Sequence, residues 1–117
     1  MEVKYIELRG EKHPICYNLY AVERICEEFG DIDTMVESMN GKDNVRSIGK
    51  MLKILMEAGR EYCREMGMEM PKPIANPSAL IDIRDPETIR AIFSTINDHS
   101  KRSVEVTGKN AVPTQEN

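Results

Sequence analysis

The stretch DNVRSIGKMLKILMEAGREYCREM, residues 43–66, decides the fold. Its apolar positions Val45, Ile48, Leu52, Leu55, Gly59, Tyr62 and Met66 recur at alternating spacings of three and four. That rhythm keeps one face of an α-helix toward a core. Placed at about 100° per residue, the main arc runs through Tyr62, Leu55, Ile48, Leu52, Val45 and Met56. Met51, Ile54 and Ala58 widen it to one side, with Ile54 almost opposite Val45. An arc that wide exceeds what a small hairpin can cover. A later helix packing there is one account of it. The other is an apolar strip of Met51, Ile54, Leu55 and Ala58 left for a partner or for self-association. These four are the expected partner-binding residues.

Upstream, Val3, Tyr5, Ile6 and Leu8 sit among charged residues and read as a strand over 2–9. Arg9-Gly10-Glu11-Lys12 supplies a tight turn, because Gly tolerates positive φ. Ile15, Tyr17 and Leu19 alternate with His13, Cys16 and Asn18 as a second strand, with Pro14 at its start or edge. Asn18 caps the next helix, whose Val22, Ile25, Cys26 and Phe29 line one face. Gly30 stops it, and Asp31 caps a short helix carrying Met35, Val36 and Met39 and ending at Asn40-Gly41. Asp43 then caps the long helix and Gly67 closes it.

Pro71, Pro73 and Pro77 make Met68 to Pro77 an irregular connector, and Ser78 to Ile83 allows one helical turn. Asp85-Pro86-Glu87 starts a last helix, with a cap, a first-position proline and a first-turn acid. Ile89, Ile92, Phe93 and Ile96 form its apolar face. The expected class is α+β, mostly α: an N-terminal β-hairpin, then about four helices with one long central helix. Residues 1–103 form a single domain and 104–117 a disordered tail.

Composition narrows the function. The 117 residues carry a net charge of −4, and the pI is near 5.2. That balance argues against general attraction to nucleic acid or anionic membrane. Eight Met and no Trp suit an irregular core. No apolar run reaches membrane-spanning length, and the N-terminus does not read as a signal peptide. Cys16, Cys26 and Cys63 show no C-x-x-C spacing and are expected to be buried, reduced thiols of a cytoplasmic protein.

Candidate chemistry is sparse. His13 and His99 have no Cys or carboxylate at metal-ligand spacing and read as surface or satisfied histidines. His13 and Cys16 fall on opposite faces of a strand, which separates a Cys–His pair. Asp31 and Asp33 are cap and first-turn acids. Gly41, Gly49 and Gly59 form no phosphate loop, and small residues inside a helix permit close packing. Neither catalytic residues, cofactor nor metal site is expected, and the chain is not read as an enzyme. Arg46, Lys50, Lys53, Arg60 and Arg64 make a basic stripe that could track phosphates. Glu57 interrupts it at pairing distance from Lys53, so a solvated, ion-paired face is preferred.

Three segments together carry a resemblance. They are LRGEKHPICYNL at 8–19, EEFGDID at 27–33 and MLKILMEAGREY at 51–62. They resemble the tail assembly chaperones of long-tailed bacteriophages and prophages of Gram-positive hosts, over about residues 2–98. The resemblance implies a non-enzymatic protein, without cofactor, that binds the tape measure protein. It would keep that long apolar helical protein soluble while the tail tube polymerises, in the host cytoplasm and outside the finished virion. Expected partners are the tape measure protein, the tail tube protein and a further copy of the chain, with no membrane. The alternative is a small nucleic-acid-binding or regulatory helical adaptor of a phage. The family is commonly made in two lengths by a programmed frameshift. Gly108-Lys109-Asn110 can be encoded as GGA-AAA-AAC, which contains the slippery heptamer A-AAA-AAC.

Overall fold

A computed structural model describes the backbone of residues 2–111 and the side chains of residues 2–98. The chain begins with an antiparallel hairpin of β1 (Lys4–Leu8) and β2 (Glu11–Ile15). Only Arg9 and Gly10 lie between the strands, at φ 55° and 74°. Positive φ at both central residues is the geometry whose twist matches the strands it joins. The turn residues at 9–10 thus fix the register, with Leu8 opposite Glu11 and Ile6 opposite His13. The second strand stops at Ile15, short of the expected Leu19. The Cys16 N–H, on the edge facing away from β1, donates to the Leu55 carbonyl at 3.1 Å and ties the end of the strand to α3.

Helix α1 (Leu19–Phe29) is capped by Asn18, whose side chain accepts from the Ala21 N–H at 3.0 Å. Helix α2 (Ile32–Met39) is capped by Asp31, which accepts from the Thr34 N–H at 2.7 Å. Hydrogen bonds from the Thr34 side chain and, second to it, from this N–H hold the Asp31 carboxyl below its ordinary pKa. The long helix α3 runs Val45–Met66. Asp43 does not cap it. Residues 42–44 form a turn, and the Asn44 side chain turns back to donate to the Met39 carbonyl at 3.0 Å. A 3₁₀ turn at Pro77–Leu80 interrupts the connector. Asp85 accepts from the Glu87 N–H at the start of α4 (Pro86–Ala111).

The last helix covers residues 104–111, where the sequence reading placed a structureless tail. No proline interrupts the run until Pro113, and each added helical residue closes one more hydrogen bond. Residues 112–117 of the expected tail lie outside the described residues. So do the side chains of His99 and of Gly108-Lys109-Asn110.

Helix α3 is the centre of the molecule, packed by β2, α1, α2, α4 and the 3₁₀ turn. Its buried set is Met51, Leu52, Ile54, Leu55, Met56, Ala58, Gly59 and Cys63. Ile6, Leu8, Ile15, Ile25, Met35, Ile92 and Ile96 complete the core around it. Burial on several sides explains the wide apolar arc. Val45 and Met66, the ends of the expected repeat, project beyond the packed elements and are 62% and 60% exposed. At Gly59 a Cβ would lie 2.2 Å from the Pro14 carbonyl oxygen. The small residue there admits a strand backbone against the helix.

Candidate functional site

The expected partner strip is not surface. Met51, Leu55 and Ala58 are 0% exposed and Ile54 is 2% exposed. The correction has a plain cause: the hairpin, α1, α2 and α4 approach α3 from different sides and together cover what a hairpin alone could not. Periodicity gives the width of an apolar arc but not the number of elements arriving to bury it.

Exposed apolar area lies instead at the start of α3. Val45, Leu80 and Ile83 are 62%, 43% and 69% exposed. Val45 and Ile83 line a groove of about 160 Å³ between α3, the 3₁₀ turn and α4. Ile48, Ile81 and Ile89 line its walls, with the buried Leu52 and Ile92 beneath. Gly49 and Ser78 are the small residues in the lining. Few residue positions in the sequence announce this groove. The connector carries no periodic signal, so its isoleucines gain meaning only once the 3₁₀ turn folds them beside α3.

The basic stripe on α3 is largely engaged by its neighbours. Arg60 donates to the Pro71 carbonyl at 2.7 Å, which ties the connector to the helix. Arg64 pairs with Glu61. Lys50 reaches Glu28 at 4.0 Å and lies 5.5 Å above the Phe29 ring. Glu57 does not pair with Lys53. It accepts from the Tyr20 hydroxyl at 2.8 Å and from the Arg24 guanidinium at 3.0 Å, locking α1 to α3. The same contact raises the Tyr20 pKa, through its hydrogen bond to Glu57. These surface pairs fix position more than they add stability.

Among the described residues the buried titratable groups are His13, Cys16, Tyr17 and Cys63, and burial raises the Tyr17 pKa. Cys16 is buried, and burial, reinforced by neighbouring Cys63, pushes its thiol up to about 11. A thiol so held is a packing group and not a nucleophile. Cys26, expected in the core, is exposed, because α1 turns that edge of its apolar face to solvent. His13, expected to be a surface or a satisfied histidine, is 1% exposed with neither ring nitrogen hydrogen-bonded. Its place opposite Ile6 on the inner face of the hairpin decides that burial. Among the described residues no group of three or more His, Cys, Asp or Glu side chains could hold a metal ion. No helix among them is long and apolar enough to cross a membrane.

Comparison with protein-family models, curated proteins and solved structures found no match.

Proposed function

We propose that this chain is a non-enzymatic assembly chaperone that binds an apolar helical client and keeps it soluble. The client is the tape measure protein of a long-tailed phage, met in the host cytoplasm before the tail tube forms around it. The observation that supports the reading is the apolar groove lined by exposed Val45 and Ile83. Exposed apolar side chains clustered about a groove mark protein-binding surfaces. An amphipathic helix laid in such a groove buries its own apolar anchors there. The resemblance of residues 8–19, 27–33 and 51–62 to phage tail assembly chaperones supplies the identity of that client.

The test is co-expression with the tape measure protein of a long-tailed phage that carries this gene. The double variant Val45→Asp/Ile83→Asp alters two exposed positions, so its circular dichroism and melting temperature should match the parent. The parent is expected to keep the client in the soluble fraction and to co-purify with it, and the double variant is expected to lose both. A folded double variant that still holds the client soluble would overturn this reading.

A further inference from the structure

The hairpin has one closed edge and one open edge. A two-residue turn makes Leu8 and Glu11 a hydrogen-bonded pair. Alternation then bonds Ile6 with His13 and Lys4 with Ile15, leaving Glu7–Lys12 and Tyr5–Pro14 as the intervening unbonded pairs. Pro14, which has no N–H, fits that slot. Beyond β2, α3 closes the edge: Cys16 N–H donates to Leu55, and the Pro14 carbonyl sits against Gly59. Beyond β1, Tyr5 and Glu7 direct their N–H and C=O groups outward, and no described backbone group bonds them.

What borders this edge is a groove of about 610 Å³ between β1 and the first half of α4. Tyr5, Glu7 and Lys12 line one wall, and Asp85, Glu87 and Arg90 the other. Where α4 faces the strand it presents Ala91 and Ser94, too small to fill the gap. Lys4 fixes the spacing at one end, with its Nζ 2.8 Å from Ser94 Oγ and 2.9 Å from the Asp98 carboxylate. The groove is thus pre-formed, with a strand edge along one side and a helix along the other.

We propose that this groove takes an extended peptide segment of a partner protein, added as a third strand antiparallel to β1. An open strand edge is a template for another strand, because its main-chain donors and acceptors repeat at a strand's own spacing. The segment carries Lys or Arg. The lining holds three carboxylates, Glu7, Asp85 and Glu87, and two cations, Lys12 and Arg90, and the chain as a whole carries −4, which favours a basic partner. The same balance disfavours a second copy, which would bring two sets of these carboxylates to one seam. This surface is separate from the apolar groove at Val45 and Ile83, and the proposal does not rest on the tape measure reading.

The probe is an acetylated, amidated heptapeptide of alternating Lys and Thr, titrated into the full chain and followed by amide chemical shifts. Saturable shifts are expected at Tyr5, Glu7 and residues 85–94, with slowed exchange of the Tyr5 and Glu7 amides on binding. Alternate N–H groups of a strand point to one edge, so two analogues separate main-chain from side-chain recognition. One is N-methylated at its Lys positions and the other at its Thr positions. One of the pair should bind about tenfold or more weakly, the cost of lost main-chain hydrogen bonds, and the other should stay close to the parent peptide. Equal binding by both analogues, or no saturable shift at Tyr5 and Glu7, would overturn strand addition. So would shifts centred on Val45 and Ile83, or Tyr5 and Glu7 amides already protected in a self-associated free protein. Equal binding by a peptide with Asp in place of Lys would overturn the basic character of the partner.

Discussion

An imidazole buried with both nitrogens unpaired costs stability of about 1–3 kcal/mol, and β2 places one at His13. Burial lowers its pKa from 6.5. Glu11 on the same strand opposes that shift and Arg60 of α3 and Arg9 of the turn reinforce it, while the Leu8 backbone opposes it weakly. The folded state therefore resists protonation that the unfolded chain accepts. Stability is full above the unfolded pKa near 6.5 and falls as pH drops below it, since the unfolded state then binds more protons. Chemical denaturation at a series of pH values should show that loss beginning near pH 6.5. His13→Leu should raise stability at pH 7 by about 1 kcal/mol and flatten this part of the profile. An unchanged slope in the variant would assign the loss to other groups. The sequence reading set His13 in the row alternating with Ile15, yet residues two apart share a strand face, and packing of α3 on β2 makes both of them core.

At the scale of elements, two glycines of one helix separate local propensity from tertiary contact. Both lie inside α3, and intrinsic propensity alone favours Ala over Gly at each by about 1 kcal/mol. At Gly49 the nearest atom to an added Cβ is Ser78 Oγ at 3.4 Å, an ordinary contact with a small side chain. At Gly59 the added Cβ meets the Pro14 carbonyl oxygen at 2.2 Å and the Ile15 nitrogen at 2.8 Å, both backbone. Thermal melts should therefore rank Gly49→Ala at or above the parent by roughly 0.5–1 kcal/mol. Gly59→Ala should fall below it by about 1–3 kcal/mol, as overpacking against atoms that cannot rotate away. Equal effects at the two sites would mean that β2 can retreat from α3. The capped helices, the existence of the turn and the long helix were legible because their signals are local: Asn18, Asp31, Gly10 and the repeat after Val45; the turn, read over Arg9–Lys12, closes at Arg9-Gly10 alone, with Glu11 and Lys12 already in β2. Asp43 misled for the complementary reason. It has the chemistry of a cap, but Asn44 is drawn back to Met39 and the chain enters the helix one residue later.

For the whole molecule the decisive fact is that one helix touches most of the other elements. β2, α1, α2, α4 and the 3₁₀ turn all pack on α3, so none can leave without exposing part of its buried face. The sequence made the helix visible and left its neighbours undetermined, which is why the strip from Met51 to Ala58 read as spare surface. A hub of this kind predicts a single cooperative unit. Amides from Leu52 to Cys63 should exchange only through global unfolding, with a denaturant dependence matching the equilibrium slope. Residues 68–76, without helix or strand, should exchange by local opening with little such dependence. The test of the hub is a change made elsewhere. Ile25 of α1 is 0% exposed, and Ile25→Val should cost about 0.5–1.5 kcal/mol. In a single unit that entire loss appears in the protection of α3, although no residue of α3 has changed. Protection lost in α1 while α3 keeps its full value would show that α1 opens by itself. The molecule would then be a hairpin and α4 clamped on α3, with α1 and α2 as a separable flap.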